Sequence, residues 1–306
     1  MTSDNLLSPG FNPLNTIKYL VLGKTLFLKR TNMSNNPLRQ YFRRPAVYLK
    51  LPSGGNSYGP DVIEMTETGE LPVFPMTAID EISARTPDAL FNGTAVAELI
   101  KSCVPNIKNP WAINSTDLDA ILIGIRAAAG GDSLDIESTC PKCTEVSNYG
   151  VNLVAVLTTL KAADYSKELE INDLTIKFRP LTYKEMNEGA IAQFEVQKMF
   201  ENISTIQDDE ERNTMSNEAL KKITDLTMDL LSKTIEYIKT PTVNVSETEF
   251  ILDFLQNCDR NTYLKIRDYN TELKASTELK PLDIKCVNCG HEYTQPFTLN
   301  PADFFV

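Results

Sequence analysis

Thr139-Cys140-Pro141-Lys142-Cys143 and, much further along, Cys286-Val287-Asn288-Cys289 are the stretches on which the reading of this chain turns. Each is a pair of cysteines two residues apart, set between short segments that look like strands. Leu134-Asp135-Ile136 leads into the first pair and Leu282-Asp283-Ile284 into the second, while Tyr149-Gly150-Val151-Asn152-Leu153 and Tyr293 through Pro296-Phe297-Thr298-Leu299 follow them. Two thiolates on one tight turn can face a single tetrahedral ion, so two such turns supply the four sulfurs of a closed zinc site. The expectation is that Cys140, Cys143, Cys286 and Cys289 hold a structural zinc as the two halves of a zinc ribbon, related by an approximate internal repeat. A redox dithiol and a coincidental pairing stay open, although a thioredoxin-like dithiol needs a helix N-terminus in a βαβ setting that the sequence does not show.

Residues 144 to 285, 142 positions, separate the two pairs. A compact ribbon has about 15 to 20. The intervening segment is therefore expected to be a long insertion whose folding is tied to metal binding. His291, the sole histidine, could replace a thiolate but reads rather as a neighbour of the site or an exposed side chain. Cys103 and Cys258 sit in helical patterns and are expected to be buried as small apolar residues.

Working outward, Ala46 to Leu51 reads as a strand stopped by the turn Pro52-Ser53-Gly54-Gly55. A second strand pair is expected at Val62 to Met65 and Leu71 to Phe74. Helices are expected from Thr77, from Thr94 with Val96, Leu99 and Ile100 on one face, and from Ser115 to the stop at Gly130-Gly131. Strand character returns at Asn148 to Leu157 and Leu174 to Phe178. Thr182 and Glu185 then form a capping box for a helix reaching about Phe200. The run Asp208-Asp209-Glu210-Glu211 reads as a loop, and Ser216 as the start of a helix that includes Ile238. Val245 to Phe250 reads as a capping box with a hydrophobic staple, and a last helix begins near Asp259. Pro281 marks the return to strand.

The fold class this gives is α+β, a mixed α/β core with a zinc-ribbon-like β module whose two CxxC knuckles are separated by a long, mostly helical insertion. The expected organisation is a basic arm at 1–35, an α+β domain at 36–133, the first half of the ribbon at 134–180, the helical insertion at 181–280 and the second half of the ribbon at 281–306.

Charge narrows the function classes. The net charge is −11, against broad binding of a phosphate backbone. Residues 1 to 50 nevertheless carry eight basic side chains against one acidic, leaving −18 for the rest. Such an arm suits an acidic protein neighbour, serves as a solvated extension, or touches nucleic acid, the reading that the acidic body disfavours. The most apolar stretch, Tyr19 to Leu28, is too short to span a bilayer. The first residues lack a signal-peptide pattern, so the chain is expected to act in a cytoplasm.

No catalytic constellation emerges. One histidine leaves none for a serine or cysteine triad apart from the knuckle, and HExxH and the glycine-rich nucleotide motifs are missing. Asp80/Glu81 and Asp117/Asp119 lie in first helical turns, where carboxylates belong for dipole reasons. Trp111 reads as a core anchor.

The order of short motifs resembles a known family. Arg44-Pro45-Ala46-Val47-Tyr48-Leu49 with Leu51-Pro52-Ser53 comes first, then Gly69-Glu70-Leu71-Pro72-Val73 and Pro75-Met76-Thr77 with Asp80-Glu81. Thr86-Pro87-Asp88-Ala89-Leu90, Asn92-Gly93, Ile125-Arg126 and Cys140-Pro141-Lys142-Cys143 continue it, and Cys286 to Glu292 with Asp303-Phe304-Phe305 close it. Together they look like the baseplate hub proteins of T-even-like contractile-tailed phages, over about residues 36 to 306; the arm lies outside. The resemblance implies a hub subunit or hub assembly protein with phage hub and tail proteins as partners, in the virion tail and in the host cytoplasm during assembly. It also implies no enzymatic activity, no small-molecule substrate and no membrane. Self-association is left open. The alternative from a different class is a zinc-ribbon regulator that binds nucleic acid, and a third reading, a metalloenzyme, would need an open metal position.

Overall fold

The computed structural model describes residues 36–84, 92–131, 133–277 and 279–297. The basic arm, the Thr86 to Leu90 motif and the Asp303-Phe304-Phe305 motif lie outside them. The chain divides after Phe42. Before that point, Pro37–Tyr41 forms one 3-10 turn, started by the Asn36 side chain accepting from the Leu38 amide at 2.9 Å.

After it, β1 (Val47–Lys50) pairs antiparallel with β2 (Glu70–Val73), Leu49 opposite Leu71. This corrects the expected strand pair: at Val62 to Met65 only Ile63 makes a single bridge, to Ile107. The chosen register sets Leu49, Leu71 and Val73 on one buried face, a larger apolar return than the local hairpin offers. Helices α1 (Ala78–Ala84), α2 (Thr94–Cys103) and α3 (Ser115–Ala128) complete this part. Val96, Leu99, Ile100 and Cys103 of α2 join Leu118, Ile121, Leu122 and Ile125 of α3 in the first core. Gly124 allows the close approach of β1 to α3, since a Cβ there would lie 3.3 Å from Leu49.

A hairpin follows, β3 (Ser133–Thr139) with β4 (Val146–Asn152). The expected strand to Leu157 stops at Asn152, whose side chain accepts from the Ala155 amide at 2.8 Å and starts α4 (Leu153–Thr159).

Strands β5 (Glu168–Ile171), β6 (Leu174–Phe178), β7 (Ile235–Lys239) and β8 (Asn244–Val245) form an antiparallel sheet in that order. Between β6 and β7 rise α5 (Tyr183–Ile203), with its capping box formed in full, and α6 (Asp209–Lys233). Here three expectations are corrected. The acidic run is not a loop: Asp208 caps α6 by accepting from the Glu211 amide at 2.8 Å, and its neighbours sit where the helix dipole favours negative charge. Ser216 therefore lies inside a helix. Ile238 belongs to a strand, because Ile235-Glu236-Tyr237-Ile238 offers the branched and aromatic side chains that suit a sheet and buries both isoleucines.

Helices α7 (Thr248–Asn257) and α8 (Arg260–Thr277) cover this sheet, Ile251, Leu255, Ile266 and Leu273 packing with Ile176, Phe178, Ile235 and Ile238 in a second core. The capping box and staple expected at Val245 to Phe250 do not form. Val245 is paired with Ile238 in the sheet, Phe250 is 65% exposed, and the residue at the cap, Glu247, makes no capping bond. Last, β9 (Leu282–Lys285) and β10 (Glu292–Gln295) make a second short hairpin.

Candidate metal centre

Both CxxC pairs sit at the tips of these hairpins, and the local backbone explains how each tip forms. In the first, the Cys140 amide donates to the Glu145 carbonyl and the Thr144 amide to the Cys140 carbonyl, both at 2.9 Å. In the second, Cys286 donates to the His291 carbonyl and Gly290 to the Cys286 carbonyl, again at 2.9 Å. The residue after each second cysteine takes a left-handed conformation, Thr144 at φ 58° and Gly290 at φ 69°. Glycine adopts this freely; a β-branched threonine does so only under strain.

The flanking repeat is also visible in the strand register. Ile136 faces Tyr149 across the first hairpin and Ile284 faces Tyr293 across the second. Relative to the cysteines the two pairs are offset by two residues, which keeps the same face inward because side chains alternate with period two. The offset places small Ser138 near Tyr293, and their hydroxyls meet at 2.7 Å. The Gln295 amide donates to the Glu137 carbonyl at 3.3 Å.

These contacts bring Cys140, Cys143, Cys286 and Cys289 together, all four sulfurs within 4.8 Å of one another. Cys140 Sγ lies 3.7 Å from Cys289 Sγ and Cys143 Sγ 3.6 Å from Cys286 Sγ. A disulfide needs about 2.05 Å. Four sulfurs at about 2.3 Å from one tetrahedral zinc stand about 3.8 Å apart, so the donor set fits that ion in number, softness and spacing. Protonation has a matching pattern. The Cys289 amide donating to its sulfur leads the effects that hold Cys286 down at about 7. For Cys143 the Glu145 amide pulls down, but the thiol of Cys289, burial and the thiols of Cys286 and Cys140 push it up to about 12.

His291 serves the second knuckle through its carbonyl; its half-buried ring stacks on Tyr293 with centroids 6.2 Å apart. Cys103 is buried as expected, and burial raises its thiol to about 11. Cys258 is only half-buried at the end of α7. Trp111 is half-buried against the first core, stacked on Tyr183 at 5.0 Å.

Two polar centres escaped sequence reasoning. Asp117 is fully buried, and it accepts from the Ser53 amide (2.9 Å), the Ser53 hydroxyl (2.5 Å) and the Tyr58 hydroxyl (2.6 Å). It fastens the turn after β1 to α3, a role beyond its first-turn position. Arg43 donates to the carbonyls of Pro75 (2.6 Å) and Ser102 (2.8 Å), to the Ser102 hydroxyl and to Asp80.

The sequence profile of a family described as T4 bacteriophage base plate protein matches residues 75–306. The chain belongs to that family. Its role is thus structural, in the phage tail baseplate of the virion. The match takes in both hairpins of this baseplate protein and all four cysteines. No curated protein and no solved structure matches it. Among the described residues, no helix is long and apolar enough to cross a membrane.

Proposed function

We propose that this baseplate protein is a subunit or assembly factor of the tail baseplate hub. Its fold is fastened by zinc on Cys140, Cys143, Cys286 and Cys289, and neighbouring tail proteins bind its arm, residues 1–35, and its helical region, residues 181–280. The observation that carries the reading is the meeting of two knuckles separated by 142 residues in a chain of this family. Four cysteines fill a tetrahedral ion and leave no position for water or substrate, which supports a structural centre and a non-enzymatic protein. When bound, zinc would neutralise the four thiolates. The chain's own part is to hold the sulfurs at tetrahedral spacing through the two left-handed turns, and to orient the hairpins through Ser138 and Tyr293. The organisation proposed with it is an α+β part at 36–133, ribbon halves at 134–180 and 281–306, and the helical insertion between them.

The test is to follow an affinity-tagged chain through assembly of the phage that encodes it. Co-purification with hub and tail proteins, in intermediates or in the finished particle, is the expected result. Absence of the chain from both would refute the hub reading.

A further inference from the structure

Helices α5 and α6, 21 and 25 residues long, form a hairpin. Leu230 near the end of α6 lies against Gly189 near the start of α5, so the two run antiparallel from there. Their base is held by the body: Tyr183 and Met186 of α5 join the first core, and Met228 and Leu231 of α6 the second. Their outer part is not. No residue from 190 to 225 belongs to any of the three cores, and only Val196, Ile203 and Ala219 are buried in that stretch. Two helices alone leave an apolar remainder there. Leu220 and Ile223 of α6 are 55% and 41% exposed, and Phe194 and Phe200 of α5 more than a third.

Asn213, Ser216, Leu220, Ile223 and Thr227 follow one another at steps of three and four residues, the spacing that keeps side chains on one helix face and makes the seam of a coiled coil. They form an uncharged stripe about 21 Å long, and four residues before Asn213 it runs into Asp209, at the acidic tip Asp208-Asp209-Glu210-Glu211. Residues 194–225 carry eight acidic side chains against four basic. Of those acids only Asp209 has a cation partner among the described residues, Arg212, while Lys198 lies over the Phe194 ring at 4.4 Å. An apolar seam that ends in surplus carboxylates suits a helix that is apolar along one face and basic at one end, since opposite potentials select the partner. Resting on the reading that neighbouring tail proteins bind the helical region, we propose that this stripe docks an amphipathic helix of such a protein. Its apolar side chains, at the same three-and-four spacing, cover Leu220 and Ile223, and its Lys or Arg side chains meet the acidic tip. Burial of the exposed leucine and isoleucine supplies the driving force, and the charges fix the direction of the docked helix.

The test places the photo-cross-linking residue benzoylphenylalanine at position 220 of the full chain during assembly of the phage that encodes it, and identifies the joined segment by mass spectrometry. The expected product is a bond to a segment of another tail protein with apolar residues at three-and-four spacing and a basic end. The variants Leu220→Ser/Ile223→Ser and Asp209→Lys/Glu210→Lys change exposed side chains and should keep the unfolding midpoint, while each lowers recovery of that protein with the purified chain about tenfold or more. A bond to residues 1–35 of this chain, to a second copy, or to a segment without an excess of basic residues would overturn the proposal, as would recovery unchanged by the charge reversal. A chain present in tail intermediates that forms no bond from position 220 would overturn it too and leave the hub reading standing. Absence of the chain from intermediates and particle would instead remove the hub reading, and this proposal with it.

Discussion

Removing metal from Cys140, Cys143, Cys286 and Cys289 with a strong chelator, or substituting Cys286→Ser, should release the β9–β10 hairpin while both large cores stay folded; the insertion has a core of its own, which narrows the expected tie between metal and folding to the hairpin. The magnitude follows from metal linkage. A structural zinc that binds only when the two pairs meet contributes on the order of 10 kcal/mol, so its loss shifts the docking equilibrium by at least about three to four orders of magnitude. The other restraints on the hairpin are smaller: the Ser138–Tyr293 and Gln295–Glu137 hydrogen bonds, at about 1 kcal/mol each, burial of Ile284 and Phe297, and Leu282 packed against a third apolar cluster of Ile123, Val151, Leu153 and Val156. Two strands of four residues are marginal alone. The first two cores contain no residue of either strand. Hydrogen exchange of residues 282–295 should therefore accelerate by about three orders of magnitude on chelation, while far-ultraviolet circular dichroism keeps its helical signal. Elemental analysis before chelation should give one zinc per chain. A metal-free chain whose hairpin exchanges within about threefold of the loaded form would refute the reasoning.

Further expectations concern single positions. Thr144→Gly should stabilise the loaded protein by up to about 1 kcal/mol by relieving the left-handed strain, and Gly290→Thr should lose a similar amount, both read from denaturant midpoints. Asp117→Ala strands the Ser53 amide and the Tyr58 hydroxyl in the interior and should cost about 2 to 4 kcal/mol by urea unfolding. Burial lifts the Asp119 carboxyl from 3.8 to about 6. A folded value above the unfolded one means that its stabilising contribution is complete below pH about 4 and is lost as pH rises through 6. Asp119→Asn should thus raise the melting temperature at pH 7 by several degrees and leave it nearly unchanged at pH 4. Burial, then the charge of Asp117, also holds the Tyr58 hydroxyl well above its ordinary value. Its contribution should fade as pH climbs past about 10. The full chain should leave duplex DNA unshifted at physiological salt, as its −11 charge requires; a salt-dependent shift would favour the nucleic-acid alternative.

Where one local rule decided an element, the sequence was enough to find it. The cysteine spacing marked the four residues that the fold brings together, and the Thr182–Glu185 capping box gave the start of α5. Where two physical demands competed, the local one lost. Val245 could staple Phe250 or pair with Ile238, and the sheet took it. The acidic run at Asp208 has the polarity of a loop, yet the same charges suit a helix N-terminus, and only the following helix distinguishes the two. Asn152 ended a strand by capping α4, a signal present in the sequence but hidden by the apolar run Leu153-Val154. Asp117 was legible as a first-turn carboxylate. Its partners, Ser53 and Tyr58, lie 64 and 59 positions away and become neighbours only through the β1 turn.

Because the two knuckles lie so far apart, a metal site built from both can form only on a chain that has reached Cys289. The first pair leaves the ribosome with two sulfurs of the four, and at roughly 5 to 20 residues per second the second follows about 7 to 30 seconds later. A chain cut short between Cys143 and Cys286 keeps two thiols without their partners and a first hairpin that lacks the cover of Leu279, Leu282 and Phe297. Truncated products would then carry a chemical mark, exposed thiols beside exposed apolar surface, that separates them from finished subunits before any are built into a tail.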